Sequence, residues 1–235
     1  GSEMCIRDSC GNHNGPSASF IDNNHIVFRD HVDGKSAFRI LNVYTGEVIY
    51  GPIFGKESHC SENGIYPFSI SDDYIDKNPD HPELNQNGIY TLNVATGEIK
   101  CVVTKQQIID MVEGAGCTVL PSTTQLSHVQ LNPSATKVMM RLGVPECKIF
   151  GALGEVDLDT GKTHLILDKP VHQLWFDDNS YMATRQYHNG ERIEMETSRI
   201  QRFSLDGETL ETLGGVGNHI DGSPDRQWFV GDRAY

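Results

Sequence analysis

No run of 18 apolar residues occurs in this sequence, so none of it is built to cross a bilayer as a helix. The six cysteines, Cys5, Cys10, Cys60, Cys101, Cys117 and Cys147, form no Cys-x-x-Cys pair and no regular spacing. That excludes a zinc ribbon and a disulfide framework, and leaves them as reduced structural residues. Asn132 opens the only Asn-x-Ser triplet, and Pro133 in its middle removes it as a glycosylation acceptor. Several catalytic signatures are missing too. There is no Gly-x-Ser-x-Gly elbow for a hydrolase nucleophile, no P-loop, no dinucleotide Gly-x-Gly-x-x-Gly and no His-Glu-x-x-His. No carboxylate pair for glycoside hydrolysis stands out among the acids. Basic residues are few: 19 Lys and Arg face 32 Asp and Glu, a net charge of −13. Such a surface repels nucleic acid and anionic membranes, so neither is expected as a partner. An anionic ligand must then be met by a local cluster of Arg, His or metal.

What the sequence does contain is one short phrase written four times. The copies are LNVYTGEV (41–48), LNVATGEI (92–99), VDLDTGKT (156–163) and, one residue shorter, FSLDGET (203–209). Each reads as an alternating strand, a tight glycine turn and a second strand. The turn glycines Gly46, Gly97, Gly161 and Gly207 lie 51, 64 and 46 residues apart, the length of a four-stranded propeller blade. With 235 residues and 37% hydrophobic content, the chain can bury the core of one globular domain. The opening GSEMCIRDS is polar and resembles a cloning remnant or translated adapter. Residues 1–12 are expected to be a non-native or disordered leader, and 13–235 a partial propeller domain, monomeric and of undetermined compartment.

A second phrase recurs between the hairpins: a short strand, a Pro/Asp/Asn turn, and a strand ending near an Arg. Its copies are SASFIDNNHIVFR (17–29), HVQLNPSATKVMMR (128–141), HQLWFDDNSYMATR (172–185) and HIDGSPDRQWFVGDR (219–233). These are strands A and B of successive blades, and the glycine hairpins are strands C and D. A further strand A is expected near Tyr66. The fold expected is therefore an all-β propeller of about four and a half blades, part of a seven-bladed one. Two stretches break the rhythm. Residues 72–87 are polar, take the place of a strand B, and are expected to be a solvated loop; Asp76, Asn78 and Asp80 give only the start of a calcium loop. Residues 104–125 hold a short inserted helix, with Thr104 and Gln107 as a capping box, an apolar face of Ile108, Ile109 and Val112, and Gly114 and Gly116 as its stop.

Equivalent positions can now be compared. His128, His172 and His219 each stand five residues before the A–B turn anchor, Pro133, Asp177 or Pro224. Arg141, Arg185 and Arg233 follow them by 13, 13 and 14 residues, and Arg29 holds that place in the first blade. In a propeller these positions come out on one mouth of the central channel. A lone histidine of this kind is ordinarily a packing residue; three in register could hold a divalent metal or supply a general base. The arginines suit either surface ion pairs or substrate binding. Eliminating across a glycosidic bond beside a carboxylate needs that carboxylate neutralised, a base for the adjacent proton and an acid for the leaving oxygen. Arg141 and Arg185, a histidine, and Tyr187 as acid fit those roles.

LSHVQLNPSATKVMM (126–140), VHQLWFDDNSYMAT (171–184) and GNHIDGSPDRQWFVGD (217–232) resemble consecutive blades of oligogalacturonate-lyase-like propellers, and NGIYTLNVATGEIK (87–100) resembles the hairpin before them. The resemblance covers residues 64–235. It implies a seven-bladed propeller that eliminates across short uronate chains, with a histidine base, arginine, and a manganese ion held largely by histidines. Carried over by position, His128 is the base, and His172 and His219 are ligands of Mn(2+) or another divalent metal. Where that group offers more than one His or Gln in its last segment, this chain offers Asn218 and His219. The expected partner is an acidic oligosaccharide, oligogalacturonate or a related uronate. The alternatives are a non-catalytic propeller that binds sugars or proteins, and the propeller of a peptidase or translocation-type protein.

Overall fold

The computed structural model describes residues 18–56, 58, 63–116, 125–144, 149–166, 170–185, 188–189, 192–193, 199–214, 220–223 and 227–231. The expected leader lies outside them. The described residues form a β-propeller array of antiparallel sheets, each a blade. The first blade is β1 (Ala18–Phe20), β2 (His25–Val32), β3 (Lys35–Asn42) and β4 (Val48–Phe54), paired in chain order. The second contains β5 (Ile65–Ile70), β6 (Gly88–Asn93) and β7 (Ile99–Thr104). After helix α1 (Lys105–Gly114) comes the third: β8 (Gln125–Leu131), β9 (Lys137–Val144), β10 (Ile149–Asp157) and β11 (Thr163–Ile166). The fourth joins β12 (Pro170–Asp177) and β13 (Ser180–Arg185) to β16 (Arg199–Ser204) and β17 (Thr209–Gly214), with a small hairpin, β14 (His188–Asn189) and β15 (Arg192–Ile193), between them in the chain. A two-stranded sheet, β18 (Ile220–Gly222) and β19 (Phe229–Gly231), follows.

The glycine hairpins form as the sequence predicts. Gly46, Gly97, Gly161 and Gly207 all have φ between +69° and +83°, a conformation that side chains resist. Asn42, Asn93 and Asp157 brace the first three turns by accepting backbone N–H groups two or three residues on. The apolar residues that alternate along the strands meet between blades. Phe38, Ile40 and Ile53 of the first blade pack on Tyr66, Phe68 and Tyr90 of the second. Val103 and Ile89 of the second join Val138, Met140 and Leu142 of the third. Met139 and Leu153 of the third meet Trp175, Tyr181 and Phe203 of the fourth. Helix α1 carries the predicted capping box and buries Ile108, Ile109, Met111 and Val112.

The second blade corrects the sequence reading. Ser69 of β5 exchanges both backbone hydrogen bonds with Lys56, while β5 pairs with β6 on its other side. A strand with a neighbour on each side is the blade's second strand, so the segment at Tyr66 is strand B, and strand A's place begins near Lys56. The polar stretch 72–87 joins B to C instead of replacing B, and it is not merely solvated. Leu84 is buried in the core between the first and second blades. Asn78 is buried, with its amide oxygen accepting from Phe54 N–H and its amide nitrogen donating to the carbonyls of Phe54 and Tyr74. Asn78 thus caps the edge of β4 with its side-chain amide.

Candidate functional site

The two described members of the histidine series share an unusual backbone. His128 has φ +53° and His172 φ +56°, both left-handed. Their neighbours explain why. The pairing of β8 with β9 skips between Ser127 and Gln130, and that of β12 with β13 between Val171 and Leu174. Each skip is a β-bulge, in which one residue too many on the inner strand faces a single partner. The histidine is the first bulged residue in both blades. A non-glycine residue there costs about 1–2 kcal/mol, so the conformation persists because its surroundings hold it.

Those surroundings are contributed by neighbouring blades. A bulge turns carbonyls out of its own ladder, and they must be satisfied elsewhere. Gln173 Nε2 of the fourth blade donates to His128 O at 3.3 Å. Ser58, in the strand-A place of the second blade, donates through Oγ to Val129 O. Gln130 Nε2 of the third blade donates to Gln173 O at 2.7 Å. The amide oxygens of Gln130 and Gln173 are buried and accept no hydrogen bond among the described residues.

Register adds a cation. Arg141 on β9 pairs with Ser127 on β8, next to His128. The Ser127 hydroxyl lies 3.0 Å from His128 Nδ1, which fixes the ring beside the strand pair. Arg141 is partly buried, and its guanidinium has no hydrogen bond or ion pair among the described residues. Burial lowers its pKa, because taking a cation out of water disfavours the charge. A partly buried cation with no anion among the described residues is a place where a ligand carboxylate would gain.

The structure thus joins His128 to Ser127 by a side-chain contact, sets Arg141 opposite Ser127 in register, and ties the His128 bulge to the His172 bulge. It does not treat the arginines alike. Arg185 pairs with Pro170, whereas the register place of Arg141 in the fourth blade is filled by the buried Thr184, opposite Val171. Equal spacings of 13 residues therefore give unequal positions, because the two A–B turns differ in length and β12 has a second register shift between Trp175 and Asp177. The side chain of Arg185 is outside the described residues, as are Tyr187, His219 and Arg233. Arg29 pairs with Phe38 on β3. Among the described residues no three His, Cys, Asp or Glu side chains gather into a metal-binding group. The described donors therefore do not by themselves make a manganese site. Ser127, Gln130 and Gln173 were missed in the sequence; the available signal was polar side chains at positions where the inner strand is otherwise apolar.

No protein-family model matches the chain, and no curated protein matches it in sequence. Solved structures do. An oligogalacturonate lyase in complex with manganese superposes with a TM-score of 0.54 at 12% identity, over 91% of this chain and 57% of that one. The oligogalacturonate lyase of Vibrio parahaemolyticus gives 0.52 at 13% identity, over 92% and 57%. An acylaminoacyl peptidase of Pyrococcus horikoshii gives 0.51 at 9% identity, over 86% and 32%. The chain thus spans a little over half the length of these lyases and a third of the peptidase. Likeness at such low identity speaks to architecture alone: the described residues have the β-propeller fold that lyases and peptidases share.

Proposed function

We propose that this propeller acts on uronate-containing oligosaccharides by β-elimination, with His128 as base and Arg141 as the group that meets the uronate carboxylate. The observation that carries the reading is the strained, braced His128 one residue along from the register partner of Arg141, a partly buried guanidinium with no anion among the described residues. Arg141 would neutralise the carboxylate and acidify the neighbouring C5 proton. His128 would take that proton, the C5–H electron pair would become the C4=C5 double bond, and the C4–O bond would break. The leaving oxygen then takes a proton, for which Tyr187 is the candidate donor. Oligogalacturonate is the first substrate to test, and ulvan fragments the second.

The test is ultraviolet absorbance of the unsaturated product, with and without added manganese. His128→Ala should lower turnover by about 10²–10⁴-fold while circular dichroism stays unchanged. Absence of product from every uronate, with the protein folded, refutes the proposal. A second reading is a non-catalytic propeller that binds sugars or proteins; a likeness of similar TM-score to an acylaminoacyl peptidase shows that the fold is not peculiar to lyases. In that case the histidine substitutions alter binding or stability only.

A further inference from the structure

We propose that Gln130 and Gln173 are positioning residues that lock the His128 and His172 bulges into one inter-blade unit; the value of this unit to catalysis rests on the function proposed above. Their donors are spent reciprocally. Gln173 of the fourth blade holds the carbonyl of His128 in the third, and Gln130 of the third holds the carbonyl of Gln173, the residue after His172. Each bulge is therefore capped by the blade that bears the other. The second bulged residue is treated alike in both: Val129 O accepts from Ser58 and Gln173 O from Gln130, each donor coming from the blade before. Trp175 Nε1 adds a bond to Gln130 O at 3.4 Å, anchoring the strand that carries one of the glutamines.

The chemistry of the pair argues against a purely structural role. Both side chains are more than nine-tenths buried, at 3% and 4% exposure, and both leave a buried amide oxygen without a donor among the described residues. Such oxygens are unfavourable in an interior, and an apolar residue of the same size would avoid them. What Leu or Met could not do is donate to a bulge carbonyl. Among the described residues the oxygens gain no partner, whereas both nitrogens end on the histidine bulges. A left-handed histidine released from its cap relaxes toward extended backbone and re-aims its ring. Because the caps are reciprocal, loosening one bulge loosens the other.

The experiment uses the whole chain with labelled histidines. NMR Cα and Cβ shifts report whether His128 and His172 are left-handed, independently of any activity. Gln130→Met and Gln173→Met should each remove the left-handed signature from both histidines. Gln201→Met is the control, since Gln201 is also buried and also leaves its amide oxygen without a donor among the described residues, but it donates to Thr212 on the outermost strand. It should leave both signatures intact. Should a Met variant fail to fold, Gln173→Asn shortens the reach and keeps the amide. On an active protein, Gln130→Met and Gln173→Met should lower kcat by about ten- to a hundred-fold with KM nearly unchanged, and Gln201→Met should not. Unchanged histidine signatures in folded Gln130 and Gln173 variants, or equal changes in the control, would overturn the proposal. Altered signatures in a protein that turns over no uronate would support the lock and refute the lyase reading.

Discussion

Replacing His128 by alanine and by glycine separates the backbone demand at the bulge from the chemistry of the ring. At φ +53° an alanine carries the left-handed penalty of about 1–2 kcal/mol, and a glycine does not. Glycine in turn loses about 0.5–1 kcal/mol through the greater freedom of its unfolded chain. The balance favours His128→Gly over His128→Ala by about 0.5–1 kcal/mol, and the same holds at His172. For a chain of this size that is a melting difference of about 1–4 °C. Ser127, one residue earlier and without the positive φ, should show the opposite order, with alanine more stable than glycine by about 0.5–1 kcal/mol. Urea unfolding midpoints of the six variants measure this directly. Both His128 variants should be inactive on uronates, because both lack the base. Glycine no more stable than alanine at His128 and His172 would show that neither bulge is held left-handed, and would remove the reason for reading strain as a sign of function.

Three other outcomes are expected. Arg141→Met should leave stability within about 0.5 kcal/mol of the parent or raise it, because the guanidinium has no partner to lose among the described residues, while binding of an oligouronide measured by calorimetry should disappear. Glu155 is buried and its carboxyl is pushed above the ordinary glutamate value of 4.5 by desolvation, so the folded state bears a penalty whenever the group is ionised. Glu155→Gln should therefore stabilise the protein near neutral pH, and the gain should fade as pH falls through the raised folded value and vanish below 4.5, where the carboxyl is protonated in both states; an equal gain at neutral pH and well below 4.5 in urea titrations would contradict this. Asn78→Ala should cost about 2–3 kcal/mol by removing the cap on the Phe54 edge, and added calcium should leave the melting temperature of the parent unchanged.

Legibility in the sequence followed the range of the interaction. The glycine hairpins were readable because a tight turn makes a demand on one residue and its nearest neighbours, as at Gly46 and Asn42. Helix α1 was readable for the same reason: Thr104 and Gln107 satisfy each other within one turn. The second blade was misplaced because β5 is apolar on every residue from Tyr66 to Phe68, and alternation could not say whether it was the first or second strand. That depended on which backbones it pairs with. Asn78 likewise looked like a loop polar group, and only its docking on β4 shows it standing in for a strand.

By itself the sequence determined the blade period, the turn chemistry and the alignment of His128 with His172, since all are set by local backbone geometry repeated at intervals. Tertiary structure alone decided that these histidines are left-handed, that Arg141 and Arg185 are not equivalent, and that glutamines from adjacent blades hold the bulges. The physical reason is that strand register counts in single residues. One extra residue in a strand, or a turn of different length, shifts every later pairing, and nothing in composition or spacing records it. The carbonyls that such a shift frees are satisfied across the gap between blades, where residues far apart in the chain first meet.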